Sequence, residues 1–369
     1  MDWITQASAG AAVGEIMFGK RMGNRALGWG ALFGIAPDLL DGLASPLLST
    51  SGKLAYHYGP SHSLLLLVVL AFGLRRWLVK LWQRSKVTGH QAAWFVGLVW
   101  GIHLLVDCLG VHAVQVLWPY PVPPFGLNLL GQGDLLVAAP LLLALLGMAL
   151  LRTKKEQAKR RRLWWWGVGL SSGYVVLAGL AKWAAAAGFE ADLARRGVAY
   201  ELRMESPIPW NLLLWRGMVD RGDAIWVGYR TVFEWHSTPV RWTVFPRNRA
   251  ALAPYAATRE ARRVAAFTKG WWIARPNKTG VWLADLRSGE YRQWGERKGM
   301  VDNRIKRSWH LEPAVPGDPL RLLTPEQKDP GAMTRRLLQR TLGQRDAWEA
   351  QPRLAGVPGA LPETLEVAE

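Results

Sequence analysis

The sequence predicts an α-helical membrane bundle of five or six transmembrane helices, followed by a β-rich soluble domain. Half of the 369 residues are apolar and 22 are tryptophan, which favours the membrane–water interface. The net charge is +18, yet no Lys or Arg occurs between residues 92 and 151. A basic-free stretch of that length is typical of a membrane protein and argues against nucleic acid as the partner. From about residue 190 the chain becomes polar, with short alternating runs.

Apolar runs predict the helices of the bundle. Four are long and apolar enough to span a bilayer: 62–82, 92–113, 134–151 and 163–187. Two weaker candidates are rich in small residues that allow close helix packing: 3–19 and 26–44. The segment 3–19 is equally compatible with an amphipathic helix at the interface, which leaves the count at five or six.

The distribution of basic residues predicts the orientation. The segments 75–91 and 152–162 are rich in Lys and Arg and should be cytoplasmic, whereas the loop 114–133 has neither residue and should lie outside. Counting helices from these loops places 45–61 and everything after 187 outside. We therefore expect an integral protein of a bacterial-type inner (plasma) membrane, with an extracytoplasmic C-terminal domain.

The C-terminal part is predicted to form β-strands. Gly, Pro and Asn interrupt short alternating runs, of which the clearest are 224–229, 240–245 and 280–286. One helix is expected at 255–267.

Three regions follow from these patterns. Residues 1–189 form a membrane domain, and residues 190–310 form the β-rich domain. Residues 311–369 are rich in Pro, Glu and Arg, so we expect a loosely ordered tail apart from a helix near 330–347.

Carboxylates and imidazoles recur in four patterns that the charge bias places at the outer face. They are Pro37-Asp38-Leu39-Leu40-Asp41, His57-Tyr58-Gly59-Pro60-Ser61-His62-Ser63, His103-Leu104-Leu105-Val106-Asp107 and Gly133-Asp134. The spacings i,i+3 and i,i+4 put the paired residues of the first and third patterns on one helix face. The Gly-Pro turn of the second pattern can bring its two imidazoles together.

This combination of side chains predicts a metal site, because carboxylate and imidazole are ligands of zinc, manganese and iron. The predicted ligands are Asp38, Asp41, His57, His62, His103 and Asp107. Six ligands exceed the three that are usual for one catalytic zinc, so one or two ions, Zn or Mn, are expected.

Each of these residues also has an ordinary structural interpretation. Asp38 and Asp41 can cap a helix end, and His103 can serve as a packing residue. Asp107 is harder to explain in that way, because an ionisable group within a span is costly and usually has a partner. Asp134 is a catalytic candidate, or a carboxylate favoured by the start of a helix. Ser61 and Ser63 can orient metal ligands from behind, or cap the helix 62–82.

At these residues the sequence resembles the YdjM-like family of membrane-bound, metal-dependent hydrolases. The resemblance covers roughly residues 1–150, and His57-x-Gly-Pro-Ser-His-Ser63 is its most specific part. The other motifs are Thr5-Gln6, Gly10-Ala11-Ala12-Val13-Gly14-Glu15, Pro37-Asp38-x-x-Asp41, His103-x-x-x-Asp107 and Trp118-Pro119. The segments Pro209-Trp210-Asn211-x-x-x-Trp215-Arg216 and Asp285-Leu286-Arg287-x-Gly289 resemble the C-terminal extension of longer members.

The chain departs from the family pattern at two positions. Gln6 stands where some members have His, and Ala139-Pro140 stands where similar members have Asp-Pro. One family ligand is therefore absent or replaced here. If the missing Asp matters to activity, either Asp134 acts in its place or this protein is altered.

The resemblance implies a metal-dependent hydrolase of the kind compared with zinc-dependent phospholipase C enzymes. Because the predicted site lies at headgroup depth, we expect an ester or phosphoester of a lipid or other amphiphile as substrate, and membrane lipid as the partner. Two alternatives stay open. The cluster could hold a structural metal while the C-terminal domain binds a partner, or His103 and Asp107 could relay ions in a transporter.

Overall fold

The computed structural model describes residues 1–131, 133–151, 154–294, 301–313, 317–323, 325 and 329–349. The chain forms two compact units. The first contains Met1–Leu47, Tyr56–Leu180 and Pro207–Leu212, and the second contains Leu48–Ala55, Ala181–Ser206 and Leu213–Glu369. A helical N-terminal region followed by a β-rich C-terminal region is the order that the sequence predicts.

The described residues before the first strand are largely helical. Their α-helices are α1 (Trp3–Met22), α2 (Asn24–Ala44), α3 (Thr50–Tyr56), α4 (Leu64–Leu81), α5 (Gly89–Leu109), α6 (Leu135–Leu150) and α7 (Gln157–Arg195). Each of the six predicted helical segments overlaps one of them. The local start signals are visible, since the Ser63 hydroxyl caps α4 and Thr88 forms a capping box with Gln91 at α5.

Two of the described helices, α5 and α7, are long and apolar enough to cross a membrane. The helix α6 is also apolar but has 16 residues. The count of five or six spans therefore stays a prediction.

The helices α1 and α2 pack backbone against backbone through glycine. A Cβ atom added to Gly10 would lie 2.2 Å from the Gly30 carbonyl oxygen, and one added to Gly30 would lie 2.2 Å from the Gly10 carbonyl oxygen. A Cβ on Gly34 would lie 2.5 Å from the Gln6 carbonyl oxygen. Only residues without side chains permit this approach, so the small residues of both segments serve helix packing, as expected.

The second unit contains two four-stranded sheets and a two-stranded ribbon. The first sheet has the order β1 (Leu202–Pro207), β2 (Leu214–Asp220), β3 (Ala224–Thr231), β4 (Trp242–Pro246). The other strands are β5 (Trp272–Asn277), β6 (Gly280–Asp285), β7 (Glu290–Trp294), β8 (Val301–Ile305), β9 (Ser308–Leu311) and β10 (Leu320–Leu323). The second sheet has the order β10-β9-β6-β5, and β7 pairs with β8.

Besides the end of α7 and most of α3, this unit contains further helices, which are short. They are α8 (Arg249–Leu252), α9 (Arg259–Phe267), α10 (Pro330–Thr341) and α11 (Asp346–Glu349). The helix predicted at 255–267 is α9. It begins at residue 259 because the Thr258 side chain caps its first turn.

The helix predicted near 330–347 overlaps α10, and the described residues of the predicted loose tail outside it also have ordered partners. Strand β10 pairs with β9, and Leu320 is fully buried. The Arg340 side chain in α10 is also fully buried and pairs with Glu234 and Glu349. These partners are supplied by tertiary structure, so the composition of the tail does not show them. Residues 350–369 of the predicted tail lie outside the described residues.

Candidate metal centre

Four of the predicted ligands converge in the helical unit. Asp38 lies in the last two turns of α2, His62 precedes α4, and His103 and Asp107 share one face of α5. One donor atom from each of them lies within 4.8 Å of all the others. His62, His103 and Asp107 are buried, whereas the Asp38 side chain is 12 % exposed. The cluster is therefore closed except on the Asp38 side.

Three potential metal-ligand atoms form a tight triangle. The two Nε2 atoms of His62 and His103 are 3.0 Å apart, and Asp107 Oδ2 lies 3.2 Å from the first and 3.1 Å from the second. Donors about 2.1 Å from one ion are about 3.0 Å apart at right angles and about 3.4 Å apart in a tetrahedron. The triangle thus has the size that a single metal ion requires.

Asp38 is the outlying member of the cluster. Its Oδ1 lies 3.4 Å from His62 Nε2 and 3.9 Å from His103 Nε2. These distances are longer than the sides of the triangle. Asp38 can thus complete a coordination sphere, or it can bind a molecule that occupies the remaining position.

The backbone of α2 determines which nitrogen of His103 carries the proton. His103 Nδ1 lies 2.6 Å from the Gly34 carbonyl oxygen. A carbonyl oxygen only accepts, so we assign the proton to Nδ1. In the neutral imidazole the Nε2 lone pair then points into the cluster.

Ser61 and Asp41 likewise determine which nitrogen of His62 carries the proton. Ser61 donates its hydroxyl hydrogen to Asp41 Oδ1 and lies 2.8 Å from His62 Nδ1. Because that hydrogen is used, the Ser61 oxygen accepts a hydrogen bond from Nδ1. The His62 Nε2 lone pair therefore also points into the cluster, opposite that of His103.

The result is a buried group of acceptors with no donor between them. Two imidazole lone pairs and two carboxylate oxygens face one another, and no aligned hydrogen-bond donor reaches Asp107 Oδ2 within the described part of the chain. With both imidazoles neutral, such an arrangement is repulsive unless a proton or a metal cation lies between the four atoms. A divalent metal could be held by all four atoms, and carboxylate plus imidazole suits zinc, manganese or iron.

Side chains behind the cluster hold its members in place. Gln6 donates from Nε2 to Asp107 Oδ1 at 2.9 Å, and the Met1 ammonium group contacts the same oxygen. Trp100 donates from Nε1 to the Ser61 carbonyl oxygen at 2.9 Å. The contacts of Gln6 and Met1 fix Asp107 through one oxygen and leave the other directed at the centre of the cluster.

The family comparison covers the part of the chain that contains the cluster. A model of the YdjM inner membrane protein family matches residues 1–185, which include every residue of the cluster. The chain belongs to this family. No curated protein and no solved structure matches the chain.

Two predicted ligands of this YdjM-family chain lie outside the group of four. The Asp41 carboxylate lies on the Nδ1 side of His62, at 3.7 Å, and therefore on the opposite side of the ring from the cluster. The His57 ring lies against Tyr58, with centroids 4.1 Å apart, and Tyr58 lies in turn against His62 at 4.7 Å. The tyrosine ring contacts both imidazoles, so the Gly-Pro turn does not bring His57 to the same point as His62.

The remaining candidates have structural contacts. Asp134 is the N-cap of α6, where its carboxylate accepts from Leu136 N at 3.1 Å and from Tyr174 Oη at 2.8 Å. The Ser63 hydroxyl accepts from Leu66 N as the cap of α4, whereas Ser61 contacts His62 directly. Of the two interpretations given for the serines, capping describes Ser63 and support of a ligand describes Ser61.

Sequence reasoning missed three supporting groups. They are the Gly34 carbonyl oxygen, the side chain of Gln6 and the indole of Trp100. Trp100 precedes His103 by three residues, so helical periodicity could have placed it on the same face. A backbone carbonyl gives no such signal. For Gln6, the family pattern indicated a replaced ligand but not a hydrogen bond to Asp107.

Proposed function

We propose that this YdjM-family chain is a membrane-bound, metal-dependent hydrolase that cleaves an ester or phosphoester of a lipid-like substrate at the outer face of the membrane. One observation carries the proposal. Both imidazoles use Nδ1 as a donor to an acceptor behind them, so their Nε2 lone pairs converge with Asp38 and Asp107 on one point. Acceptors converge in this way where a protein binds a metal ion.

The surface of α7 supports a position in the membrane. Most of the exposed side chains between residues 170 and 183 of this helix are large and apolar: Leu170, Val176, Leu177, Leu180 and Trp183. Trp165 and Trp183 are separated by about 27 Å of helix, close to the hydrocarbon thickness of a bilayer. Exposed Arg161 and Arg162 precede the first of these tryptophans. Tryptophan at both ends and arginine at one end are typical of a spanning helix.

The positions of the ligands at helix ends support a site at headgroup depth. The end of α2, the start of α4 and the end of α5 meet at the cluster. If these helices cross the bilayer, as the predicted five or six spans require, their shared end lies at the membrane surface. An ester of a membrane lipid or amphiphile is the substrate that this position favours.

We propose separate roles for the residues of the cluster. His62, His103 and Asp107 form the three-ligand set, and Asp38 lies on the open side. A divalent metal held there supplies Lewis acidity toward water and toward the ester oxygen. Asp38 is positioned to accept a proton from an attacking water. Three protein ligands with one open position are typical of catalytic zinc.

A structural metal is the second candidate. Four protein donors suffice to close a tetrahedral site, and the cluster offers four. The transporter hypothesis is less well supported. Glu15, which lies in the predicted span 3–19, forms an ion pair with Arg160 at 2.5 Å and is therefore not free to relay an ion.

Metal content and hydrolysis distinguish the two candidates. Elemental analysis of the detergent-purified protein should find at least one equivalent of Zn or Mn per chain, lost in His62→Ala and Asp107→Ala. Hydrolysis is assayed with bis(p-nitrophenyl) phosphate and with phospholipid micelles. We expect Asp38→Asn to keep the metal and lose hydrolysis. Loss of metal in Asp38→Asn, with no hydrolysis by the wild type, would instead indicate a closed structural site.

A further inference from the structure

The loop between β3 and β4 exposes two large aromatic side chains. Phe233 is 64 % exposed and Trp235 is 82 % exposed. Glu234 lies between them, and its carboxylate accepts from Thr231 N at 3.2 Å and pairs with the buried Arg340 at 2.9 Å. A surface loop usually turns its charged residue to solvent, and this loop turns its charge inward and its rings outward.

The loop is held in this conformation by a second buried arginine. Arg230 donates to the carbonyl oxygens of Thr238 at 3.1 Å and Glu234 at 3.0 Å, and also to that of Trp235. The Arg230 side chain is itself almost completely buried. The exposure of the two rings is therefore built into the loop by charge-assisted hydrogen bonds.

The same loop lies against α7, just beyond the apolar stretch of that helix. A Cβ atom on Gly188 would lie 2.1 Å from Arg230 Nε, and Arg195 donates to the His236 carbonyl oxygen at 3.1 Å. Trp183, which is 73 % exposed, precedes Gly188 by five residues, or about 7.5 Å of helix. The headgroup region of a bilayer has a thickness of that order.

We propose that the β3–β4 loop, residues 232–241, is a membrane anchor that inserts Phe233 and Trp235 into the lipid–water interface where α7 leaves the bilayer. The inference depends on the membrane crossing of α7 in the proposed function and not on the metal or on hydrolysis. Aromatic rings are the side chains that favour this interface. Arg241, the basic residue of this loop, pairs with Asp346, so the proposed anchor does not rely on attraction to anionic lipid.

Site-directed fluorescence in full-length protein tests the anchor. The single cysteine, Cys108, is buried, so Cys108→Ala provides the background for one new cysteine at a time. Trp235→Cys and Phe233→Cys are labelled with the environment-sensitive NBD fluorophore in phosphatidylcholine nanodiscs. Spin-labelled lipids with the quencher near the headgroup then report insertion. Leu322→Cys, at an exposed apolar position of the other sheet, is the matched control.

We expect blue-shifted emission and at least about twofold stronger lipid quenching at 233 and 235 than at 322, without dependence on salt. Water-like emission at both positions would overturn the anchor and assign the exposed rings to a protein partner. Trp183→Cys separates this failure from failure of the membrane assignment. Quenching at 183 without quenching at 233 or 235 rejects only the anchor, whereas no quenching at 183 rejects the crossing of α7.

Discussion

The imidazole of His62 has different partners on its two nitrogens. Nδ1 lies beside Ser61, which donates to Asp41, and Nε2 lies among the potential metal-ligand atoms of the cluster. Hydrogen bonds on the outer side of a metal-ligating imidazole fix its tautomer and raise its basicity. The adjacent residues Ser61 and His62 therefore act as one unit, with Asp41 behind them.

Removal of the Ser61 hydroxyl tests this unit. We expect Ser61→Ala to retain the fold and weaken metal affinity by roughly 10- to 100-fold, measured by competition with a chelator. Ser63→Ala is the matched control two residues away, because that hydroxyl caps α4. It should cost about 1 kcal/mol of stability and leave metal affinity unchanged. Equal affinities in wild type and Ser61→Ala would contradict the proposed support.

The two histidines of the His-x-Gly-Pro-Ser-His motif should behave differently. His57 lies beyond the ring of Tyr58, whereas His62 supplies a donor to the triangle. Elemental analysis should find full metal content in His57→Ala and none in His103→Ala, which removes a second corner of the triangle. Loss of metal in His57→Ala would show that the motif supplies two ligands, as the sequence alone predicts.

At the scale of elements, the α1–α2 contact positions the outer partners of the cluster. Gln6 is on α1 and the Gly34 carbonyl is on α2, and the glycines of both helices set the distance between them. A change in this distance would move Asp107 and His103 relative to the other ligands. Helix packing and ligand geometry are thus linked through backbone contacts.

Two glycines of α2 provide a matched test of that link. A Cβ on Gly30 would lie 2.2 Å from the Gly10 carbonyl oxygen, whereas a Cβ on Gly28 would meet nothing within 4 Å. Gly30→Ala should cost about 1–3 kcal/mol through overpacking, seen as a lower melting temperature in detergent, and should reduce metal content. Gly28→Ala should equal or exceed the wild type, because alanine favours a helix. Similar melting temperatures for both variants would refute the close contact.

At the scale of the whole molecule, metal and folding should be coupled. The buried acceptors of the cluster repel one another without a cation, so a bound ion stabilises the folded state. At a free metal concentration of about 100 times Kd, the gain is about 2.7 kcal/mol. We expect chelation to lower the melting temperature of the wild type and to have no effect on His62→Ala. A chelator that leaves the wild-type transition unchanged would argue against a bound metal.

The orientation of the chain is a second prediction at this scale. The basic segments 75–91 and 152–162 predict a cytoplasmic position for themselves and an outer position for the residues after 187. Alkaline phosphatase fused at the C-terminus should be active, and a green fluorescent protein at the same position should be dark. The opposite pair of results would place both the C-terminal unit and the proposed site at the cytoplasmic face.

The sequence by itself determined the order of elements and part of the site. Apolar runs predicted the positions of the helices, and alternating runs with turn residues predicted strands β3, β4 and β6. The spacing of His103 and Asp107 placed both on one helix face. These features depend on neighbours a few residues apart, and periodicity shows such relations directly.

Only the tertiary structure decided which side chains meet. It placed His62 in the triangle and His57 outside it, put Asp41 behind His62, and brought Gln6 to Asp107. It also buried Leu320 and Arg340, which lie in the described part of the chain beyond residue 311. These outcomes depend on side-chain direction and on contacts between residues far apart in the chain. Local patterns carry no information on such contacts, because packing among several elements determines them.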